Sequence, residues 1–319
     1  MDLSIFFAGT AGSVPSARRG LPASLVRRGG ERILVDCGEG TQRQLLRSVG
    51  LADLTDVFLT HLHTDHWLGL PGMLKSFDLR DRDKPLAIHG PPGTRQLLEA
   101  LRGLWSTKGY AVTIEELEPM QSVRRDDLTI TALPVKHRGA AYGYAFVEDE
   151  RPGRFDAELA QSLGVPFGPY FGRLQRGETV NGVAPEQVIG PARAGRKLVF
   201  SGDTRPCEAV AIAAHQADVL VHEATFLSED AERARQTGHS TAAEAATLAR
   251  DAEVKLLALT HLSTRYAGRE VAEEARAIHP ATEVPRDFDA MDVPLPEKGD
   301  PELQRWQAGR PPAPAEAPS

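Results

Sequence analysis

Short β-branched and aliphatic runs alternate with helically spaced apolar residues through most of the chain, a pattern typical of layered α/β folds. The apolar runs predict strands at 3–8, 32–36, 56–60, 86–89, 128–133, 197–201, 219–222 and 256–260. Helical spacing predicts helices at 39–49, 94–103, 207–215, 241–251 and 269–278. We expect Ser240 to cap the fourth helix, with Glu244 in its first turn. The pattern therefore predicts an α/β domain over residues 1–308.

This alternation breaks between Glu148 and Arg196, where glycine, proline and arginine are dense. A connection of that length inside a compact domain is usually functional or disordered. We therefore predict an inserted arm at residues 150–192. The segment 309–319 is rich in proline and alanine and offers little to bury, so we predict a disordered tail there.

The composition indicates a globular protein but does not indicate its function. A content of 41% hydrophobic and 25% charged residues is typical of a globular protein. The net charge of -7 argues against nonspecific attraction to DNA or RNA phosphates, although a local basic patch is compatible with it. No run approaches the roughly 18 apolar residues of a membrane span, and the start "MDLSIFFAGTAG" has no basic leader. With Cys37 and Cys207 far apart, we expect a reduced, cytoplasmic protein with two buried thiols.

The stretch "THLHTDH" at residues 60–66 carries the strongest chemical signal. His61 and His63 are two positions apart, so in a continuing strand they point to the same side and can share one ion. Asp65 and His66 follow in a turn that can bring them to a second ion. Mixed imidazole and carboxylate ligands favour zinc, manganese or iron over calcium or magnesium. The alternative is an accidental histidine cluster on an exposed loop.

Further metal-seeking side chains follow other predicted strands. His137 comes after "TALPVK", Asp203 after "KLVFSG" and His261 after "LLALT". Strand ends that face the same edge of an α/β sheet gather ligands from distant parts of the sequence. Asp203 is the natural bridge, since one carboxylate can hold two ions roughly 3.5 to 4 Å apart. The remaining candidates are expected to be structural or surface residues, namely His89, His215 and His279.

Together with "ILVDCGEGTQRQLL" and "LALTHLSTRY", these residues resemble the ribonuclease Z family, tRNA 3' processing endoribonucleases of the metallo-β-lactamase fold. The histidine motif alone indicates only the superfamily. The specific part is the combination of "SGDTRP", "HEAT", "GHS" and the arm sequence "GVPFGPYFGRLQRGETV". The resemblance implies a four-layer αββα sandwich with an inserted flexible arm, usually assembled as a homodimer.

The resemblance also implies the ligands of two zinc ions, with manganese as the alternative ion. They are His61, His63 and His137 for one ion and Asp65, His66 and His261 for the other, with Asp203 between the two. Asp65 is also expected to orient the nucleophile. Glu223 and His239 match the family pair that manages proton transfer to the leaving group. Alternatively, Glu223 serves only to orient His239.

In this family the arm binds the tRNA elbow, and its Gly-x-Pro-x-Gly-Pro element is matched here. The implied substrate-binding residues are Gly164, Pro166, Gly168, Pro169, Arg173 and Arg176. Other candidate RNA contacts are Arg151, Arg154, Arg193, Arg196, Tyr170 and Phe171, whose alternative reading is ordinary solvated surface. Many relatives carry an Arg-Asn pair where this chain has Arg18 and Arg19, so the resemblance assigns these two arginines no role.

The implied reaction is removal of the 3' trailer from precursor tRNA, leaving a 3' hydroxyl on the tRNA and a 5' phosphate on the trailer. Precursor tRNA is then the partner, and neither DNA nor a membrane is expected. One alternative is a small-molecule hydrolase of the same superfamily, acting on a phosphodiester, thioester or lactone. Another is an RNA-binding module with a structural metal, which would normally be closed by four mostly cysteine ligands.

Overall fold

Two β-sheets packed face to face form the centre of the computed structural model, which describes residues 1–51 and 53–307. The first contains β1 (Leu3–Gly9), β2 (Ala23–Arg28), β3 (Glu31–Val35), β4 (Asp56–Phe58), β5 (Leu86–Gly90), β6 (Val112–Glu116), β14 (Ala290–Asp292) and β15 (Glu302–Gln304), in the order β15-β14-β1-β2-β3-β4-β5-β6. The second contains β7 (Ser122–Arg125), β8 (Leu128–Pro134), β9 (Tyr142–Glu148), β10 (Lys197–Phe200), β11 (Val219–Glu223), β12 (Leu256–Thr260) and β13 (Thr282–Glu283), in the order β13-β12-β11-β10-β9-β8-β7. The predicted tail at 309–319 lies outside the described residues.

Helices cover the outer face of each sheet. The first sheet is covered by α1 (Thr41–Leu46), α2 (Thr64–Trp67), α3 (Leu70–Asp78), α4 (Thr94–Ala100) and α5 (Arg102–Trp105). Three helices, α6 (Ala157–Ser162), α7 (Pro169–Gln175) and α8 (Pro185–Val188), precede β10. The second sheet is covered by α9 (Glu208–Ala214), α11 (Ala242–Asp251) and α12 (Gly268–Arg276). A further helix, α10 (Ala231–Thr237), precedes α11, and short 3-10 helices lie at Ser228–Asp230 and Pro296–Lys298. The predicted four-layer αββα sandwich is confirmed.

The first strand shows how the sequence builds these layers. Ile5 and Phe7 face the second sheet, whereas Phe6 and Ala8 face the helices. Successive strand residues point to opposite faces, so a strand that is covered on both sides must be apolar throughout. This continuous apolar run is the reason that β1 could be predicted from the sequence.

Several predictions of local structure were wrong. The predicted helix at 94–103 breaks at Leu101, whose backbone leaves the helical region (φ -100°, ψ 7°) between α4 and α5. Thr241, not Ser240, caps α11, because its hydroxyl accepts the Glu244 N–H in a capping box. Ser240 instead donates its hydroxyl proton to the carbonyl of Thr204 at 2.6 Å. The strands β2 and β9 were not predicted, since arginine, glycine and alanine interrupt their apolar runs.

Two predictions about burial can be compared directly with the structure. Cys37 and Cys207 are both buried and free, as expected. Burial raises the pKa of the Cys37 thiol above its usual range. Within the described ranges, none of the helices has the length and apolarity needed to cross a bilayer.

The segment at 149–196 connects two neighbouring antiparallel strands. Val147 of β9 pairs with Lys197 of β10, so the whole insertion is a long hairpin connection at one end of the second sheet. The predicted arm at 150–192 lies inside it. The sequence predicted no helices in this arm, yet α6, α7 and α8 pack around a small core of Ala160, Val165, Leu174, Val180, Val183 and Val188. Helices of six, seven and four residues are too short to show helical periodicity in the sequence.

Candidate metal centre

The predicted metal ligands lie at one edge of the sandwich, where parallel strands of both sheets end. In the first sheet β3, β4 and β5 are parallel, and in the second β10, β11 and β12 are parallel. The two sheets are joined at this edge by backbone hydrogen bonds, including Tyr142 N–H to the Thr60 carbonyl (2.8 Å) and Gly12 N–H to the Leu262 carbonyl (3.0 Å). Side chains that follow strands of different sheets can therefore meet there.

The structure brings all seven proposed ligands together. Donor atoms lie within 4.8 Å of one another in three overlapping groups, namely His61 with His63 and His137, Asp65 with His66 and His261, and His61 with His66 and Asp203. The first two groups correspond to the two ligand sets implied by the resemblance. The third connects them.

Asp203 occupies the middle of the cluster. Its Oδ2 atom lies 3.2 Å from Nε2 of His261, 3.4 Å from Nε2 of His66 and 3.7 Å from Nε2 of His61. Burial alone would raise the pKa of Asp203, but the surrounding imidazoles hold it well below its usual range. Asp65 is placed beside the same rings, 3.5 Å from Nε2 of His66, and accepts the Ser13 N–H at 2.9 Å.

Four of the histidines have their Nδ1 atoms engaged outside the cluster. His66 donates its Nδ1–H to Asp36 at 2.7 Å and His137 donates to the Gly238 carbonyl at 2.8 Å. The Nδ1 atoms of His61 and His261 lie 3.1 and 2.8 Å from threonine hydroxyls, those of Thr60 and Thr225. In the neutral rings the proton is thus on the outside, and the lone pairs of Nε2 point inward.

Those inward lone pairs need a cation between them. Nε2 of His66 is 3.3 Å from Nε2 of His261, and Nε2 of His61 is 2.9 Å from Nδ1 of His63. Nitrogen lone pairs at such distances repel each other unless a proton or a metal ion lies between them. Five imidazoles with two carboxylates form a donor set that suits zinc, manganese or iron. The residues present therefore fit a pair of such ions.

Glu223 and His239 adjoin this cluster. Glu223 is buried, and both its oxygens are occupied: Oε1 accepts from His239 Nδ1 (2.8 Å) and Thr204 N–H (3.0 Å), and Oε2 accepts from Thr225 N–H (3.1 Å) and Oγ1 (2.6 Å). Burial disfavours the charged His239 ring, but the Glu223 carboxylate outweighs it and raises the pKa of His239 to about 9. Because its oxygens are occupied, the geometry favours an orienting role for Glu223. The free ring atom of His239 is Nε2.

Comparison with known proteins identifies the family. Residues 20–144 match the Metallo-beta-lactamase superfamily and residues 175–262 the Beta-lactamase superfamily domain. Ribonuclease Z of Haloferax volcanii is 48% identical over 304 residues, which are 92% of this chain and 96% of the relative. The chain belongs to the ribonuclease Z family. Ribonuclease Z of Gemmatimonas aurantiaca is 44% identical, with 93% of this chain and 98% of the relative covered.

A solved structure agrees with this assignment. Human tRNase Z, short form, superposes with a TM-score of 0.67 at 27% identity, covering 92% of this chain and 99% of the human chain. As a member of the ribonuclease Z family, the protein is an endoribonuclease with the metallo-β-lactamase fold. Metal binding is a property of that fold, and the clustered donors lie where the two sheets of this chain meet.

The predicted substrate-binding residues of the arm are far from the metal centre. Gly164 (φ 88°) ends α6 and Gly168 (φ 122°) precedes α7, which begins at Pro169, and Pro166 lies in the turn between them. The left-handed backbone at both glycines explains their presence. The metal centre adjoins the Tyr142 end of β9, whereas the arm leaves from its other end. Seven residues at about 3.3 Å each separate the two ends by roughly 20 Å.

Several of the predicted RNA-contacting arginines already have partners. Arg196 was wrongly predicted to contact RNA: it is buried and donates to Glu148 through Nε and Nη2 at 2.7 Å each. Arg151 and Arg193 both contact Glu297, at 2.8 and 2.9 Å. By contrast, Arg173 and Arg176 are exposed and contact only the exposed Glu178 among acidic side chains of the described residues.

The aromatic surface of the arm also differs from expectation. Phe171 is partly buried, with its ring centroid 4.9 Å from that of Phe155 in the core of the arm. Tyr170 is 40% exposed, and Phe167, which the sequence reasoning missed, is 80% exposed. The available signal was the position of this phenylalanine between the two turn elements "GVP" and "GP". Phe167 and Tyr170 are therefore the exposed aromatic rings closest in sequence to Arg173.

The two arginines near the chain start have different environments. Arg19 turns inward and donates through Nη1 to the Thr10 hydroxyl (2.5 Å) and the Pro285 carbonyl (2.8 Å). Burial lowers the pKa of Arg19. Arg18 is exposed, in the loop that contains Ser13. Arg19 thus fixes this loop beside Asp65, whereas Arg18 faces solvent.

Proposed function

We propose that this enzyme is a zinc-dependent endoribonuclease that removes the 3' trailer from precursor tRNA. The products are a 3' hydroxyl on the tRNA and a 5' phosphate on the trailer. The observation that carries the proposal is the position of His239, which Glu223 holds 3.9 Å from the Oδ2 atom of Asp203, beside a donor set for two ions. The names of the relatives, ribonuclease Z and tRNase Z, support the choice of substrate.

The first element of the proposal is the metal site. His61, His63 and His137 would hold one zinc ion, and Asp65, His66 and His261 the other, with Asp203 between them. Manganese is the alternative ion for the same ligands. Bound at this place, two such ions supply activation of water and stabilisation of negative charge on a phosphate.

The protein's own side chains then position the reacting groups. Asp65, held by the Ser13 N–H, would accept a hydrogen bond from the attacking water and so orient it. His239 has Nδ1 committed to Glu223, so its Nε2–H is the group that can protonate the departing 3' oxygen of the tRNA. Glu223 keeps the ring in this orientation and favours its protonated form. Proton donation by a positioned histidine contributes about 10²- to 10⁴-fold to a rate.

The second element is the arm as the binding site for the body of the tRNA. Arg173 and Arg176 with Phe167 and Tyr170 offer charges for phosphates and flat faces for stacking. The arm that carries these groups leaves the sheet at the far end of β9, and that end is separated from the metal centre by the strand length of roughly 20 Å. A small ester bound at the metal centre cannot reach them, whereas a folded RNA can contact both. The arm therefore selects the substrate and does not take part in bond cleavage.

A homodimer and a cytoplasmic location belong to this proposal as predictions from the family resemblance. Neither DNA nor a membrane is a proposed partner. The acidic chain, with a net charge of -7, favours recognition through local groups over general attraction to nucleic acid.

Mapping the cut on labelled precursor tRNA tests the proposal. The wild-type enzyme is expected to release a trailer with a 5' phosphate, and Asp203→Ala is the inactive control. Precursors with and without an encoded CCA end are compared to find whether that end blocks or permits cleavage. A trailer that lacks its 5' phosphate would overturn the proposed chemistry. Turnover of a chromogenic phosphodiester or a thioester without any cleavage of precursor tRNA would show that the enzyme is a small-molecule hydrolase.

A further inference from the structure

Two buried threonines stand between a carboxylate and a histidine of the metal centre. Thr60 follows β4, and its Oγ1 lies 2.9 Å from Asp36 Oδ2 and 3.1 Å from His61 Nδ1. Thr225 follows β11, and its Oγ1 lies 2.6 Å from Glu223 Oε2 and 2.8 Å from His261 Nδ1. Both threonines are buried, at 1% and 5% exposure, so water does not compete for these contacts.

The direction of each hydrogen bond follows from proton counting. An ionised carboxylate can only accept, and a threonine hydroxyl has one proton to give. The Thr225 hydroxyl lies closer to Glu223 Oε2 (2.6 Å) than to its other acceptor, the His261 carbonyl (3.2 Å), so it donates to the carboxylate. Its lone pair then accepts the Nδ1–H of His261. The same reasoning gives donation from Thr60 to Asp36 and from His61 Nδ1–H to Thr60. Each threonine thereby places the proton of its histidine on Nδ1.

The two arrangements occupy equivalent places in the two sheets. In the first, the carboxylate follows β3 while the threonine and histidine follow the adjacent parallel strand β4. In the second, the carboxylate is the last residue of β11, the threonine follows that strand, and the histidine follows the adjacent parallel strand β12. Each serves a different ligand set, since His61 belongs to the group with His63 and His137, and His261 to the group with Asp65 and His66.

We infer that Thr60 and Thr225 are positioning residues that fix the Nδ1–H tautomers of His61 and His261, one for each proposed metal site. This inference rests on the proposed dinuclear centre. It also connects the two halves of that centre to different carboxylates: Asp36 through Thr60, and Glu223 through Thr225. Glu223 thus orients His239 directly and His261 through one hydroxyl.

Zinc binding to hydroxyl-deleted variants tests this assignment. Thr225→Val and Thr60→Val keep the side-chain shape and remove the hydroxyl, whereas Thr225→Ser and Thr60→Ser keep the hydroxyl. Competition against a chromophoric zinc chelator measures the affinity of both ions. Each valine variant is expected to lose about 10- to 100-fold in affinity for one of two zinc ions, and each serine variant to stay close to wild type. Equal affinities in wild-type and valine variants would overturn the inference.

Histidine NMR of the zinc-loaded wild-type enzyme gives a readout that does not depend on the stability of a variant. With ¹⁵N-labelled histidine, the Nδ1–H protons of His61 and His261 are expected to be protected from exchange with water. Thr225→Val should remove the protection at His261 and leave it at His61, and Thr60→Val should do the opposite. Exchange at both rings as fast as in free imidazole would also contradict the inference.

Failure of the proposed dinuclear centre would give a different experimental result from failure of the threonine roles. A wild-type enzyme that binds no zinc or manganese would overturn the dinuclear centre itself. Valine variants that bind two ions as tightly as wild type would leave that centre intact and remove only the role of the threonines. Thermal unfolding of the metal-free valine and serine variants tests for a merely structural role. In that case the valine variants would lose thermal stability, and their affinity would not fall for one zinc ion alone.

Discussion

The metal centre and the arm differ in how far their polar side chains are buried and in how many contacts hold them. In the metal centre the ligands are mostly buried, and Asp203 and the Nδ1 atoms of four histidines have close partners drawn from both sheets. In the arm, Arg173 and Arg176 are exposed and pair only with the exposed Glu178 among described acidic groups. Such exposed pairs contribute little to stability, because water screens the two charges. In the proposed mechanism, chemistry thus uses groups that are held by several contacts, whereas recognition uses exposed charges that an RNA phosphate can pair with.

The base of the arm differs from its outer part. Glu148 and Arg196, at the two ends of the insertion, contact each other, and Arg28 donates to the same carboxylate at 2.8 Å. One layer further out, Arg151 and Arg193 share Glu297, which follows β14 of the other sheet. These contacts fix the direction in which the arm leaves the body. The comparison predicts that changes at the metal centre affect every substrate, and that changes in the arm affect only RNA.

Removing Asp203 is expected to have the largest effect. Asp203→Ala deletes the group shared by both ligand sets, so hydrolysis of precursor tRNA and of a small phosphodiester should both fall. The fall should be on the order of 10³-fold or more, since residues that merely orient metal ligands are already worth 10- to 100-fold. Zinc content per chain should fall in parallel, and prolonged chelation of wild type should reproduce the loss. Full activity in metal-free wild-type enzyme would show that the clustered donors do not act by binding metal.

His239 separates proton transfer from metal binding. His239→Ala should lower kcat for precursor tRNA by about 10² to 10⁴, the usual worth of a positioned proton donor, while two zinc ions remain bound. The loss should be smaller for a phosphodiester with a nitrophenolate leaving group, because that group departs without protonation. An equal loss on the two substrates would argue that His239 supports the site without donating a proton.

Deleting the arm should affect RNA alone. Replacing residues 152–192 by a short glycine linker leaves the contact between Glu148 and Arg196 in place. KM for precursor tRNA should rise about tenfold or more, equivalent to at least about 1.4 kcal/mol of binding. Hydrolysis of the small phosphodiester should stay near the wild-type rate. Parallel loss on both substrates would mean that the arm stabilises the fold or the dimer.

Glu297 tests the direction of the arm without removing it. Glu297→Gln withdraws the shared partner of Arg151 and Arg193, so we expect a severalfold rise in KM for precursor tRNA with kcat unchanged, below the effect of deletion. Glu302→Gln, an exposed change on the nearby strand β15, is the matched control. If the two variants behave alike in RNA cleavage and thermal unfolding, the contact with Glu297 has no positioning role.

Arg173→Ala should have the smallest effect and is best seen in its salt dependence. Loss of one phosphate contact lowers the slope of log affinity against log salt by about 1, measured by titration of precursor tRNA. Glu178→Gln is the control, since it releases the same arginine and should leave the slope unchanged or steeper. An unchanged slope in Arg173→Ala would remove this residue from the RNA interface.

The sequence predicted the layers well because burial on both faces leaves long apolar runs, as in β1 and β12. It also predicted which donors would meet, since His137, Asp203 and His261 each follow a buried strand. It did not identify Asp36, Thr60 or Thr225, because a polar residue after a strand is common and its partner is known only when the strands are paired. "VDCGEG" and "HEAT" carried the available signals.

The failures in the arm have a different cause. Whether an arginine is free depends on the acid that tertiary structure places beside it, and Glu148 and Glu297 lie far from some of their partners in sequence. From local composition, Arg196 was therefore predicted to be an exposed residue, although it is buried. The short helices of the arm are stabilised by a small core that no periodic pattern in the sequence predicts.

The order of the ligands along the chain has a consequence for synthesis. His61 is made early and His261 late, and β14, which pairs with β1 in the first sheet, is made later still. A fragment released prematurely from the ribosome would lack a ligand of one ion and the partner of the first strand. Such a fragment is therefore not expected to assemble the complete set of clustered donors.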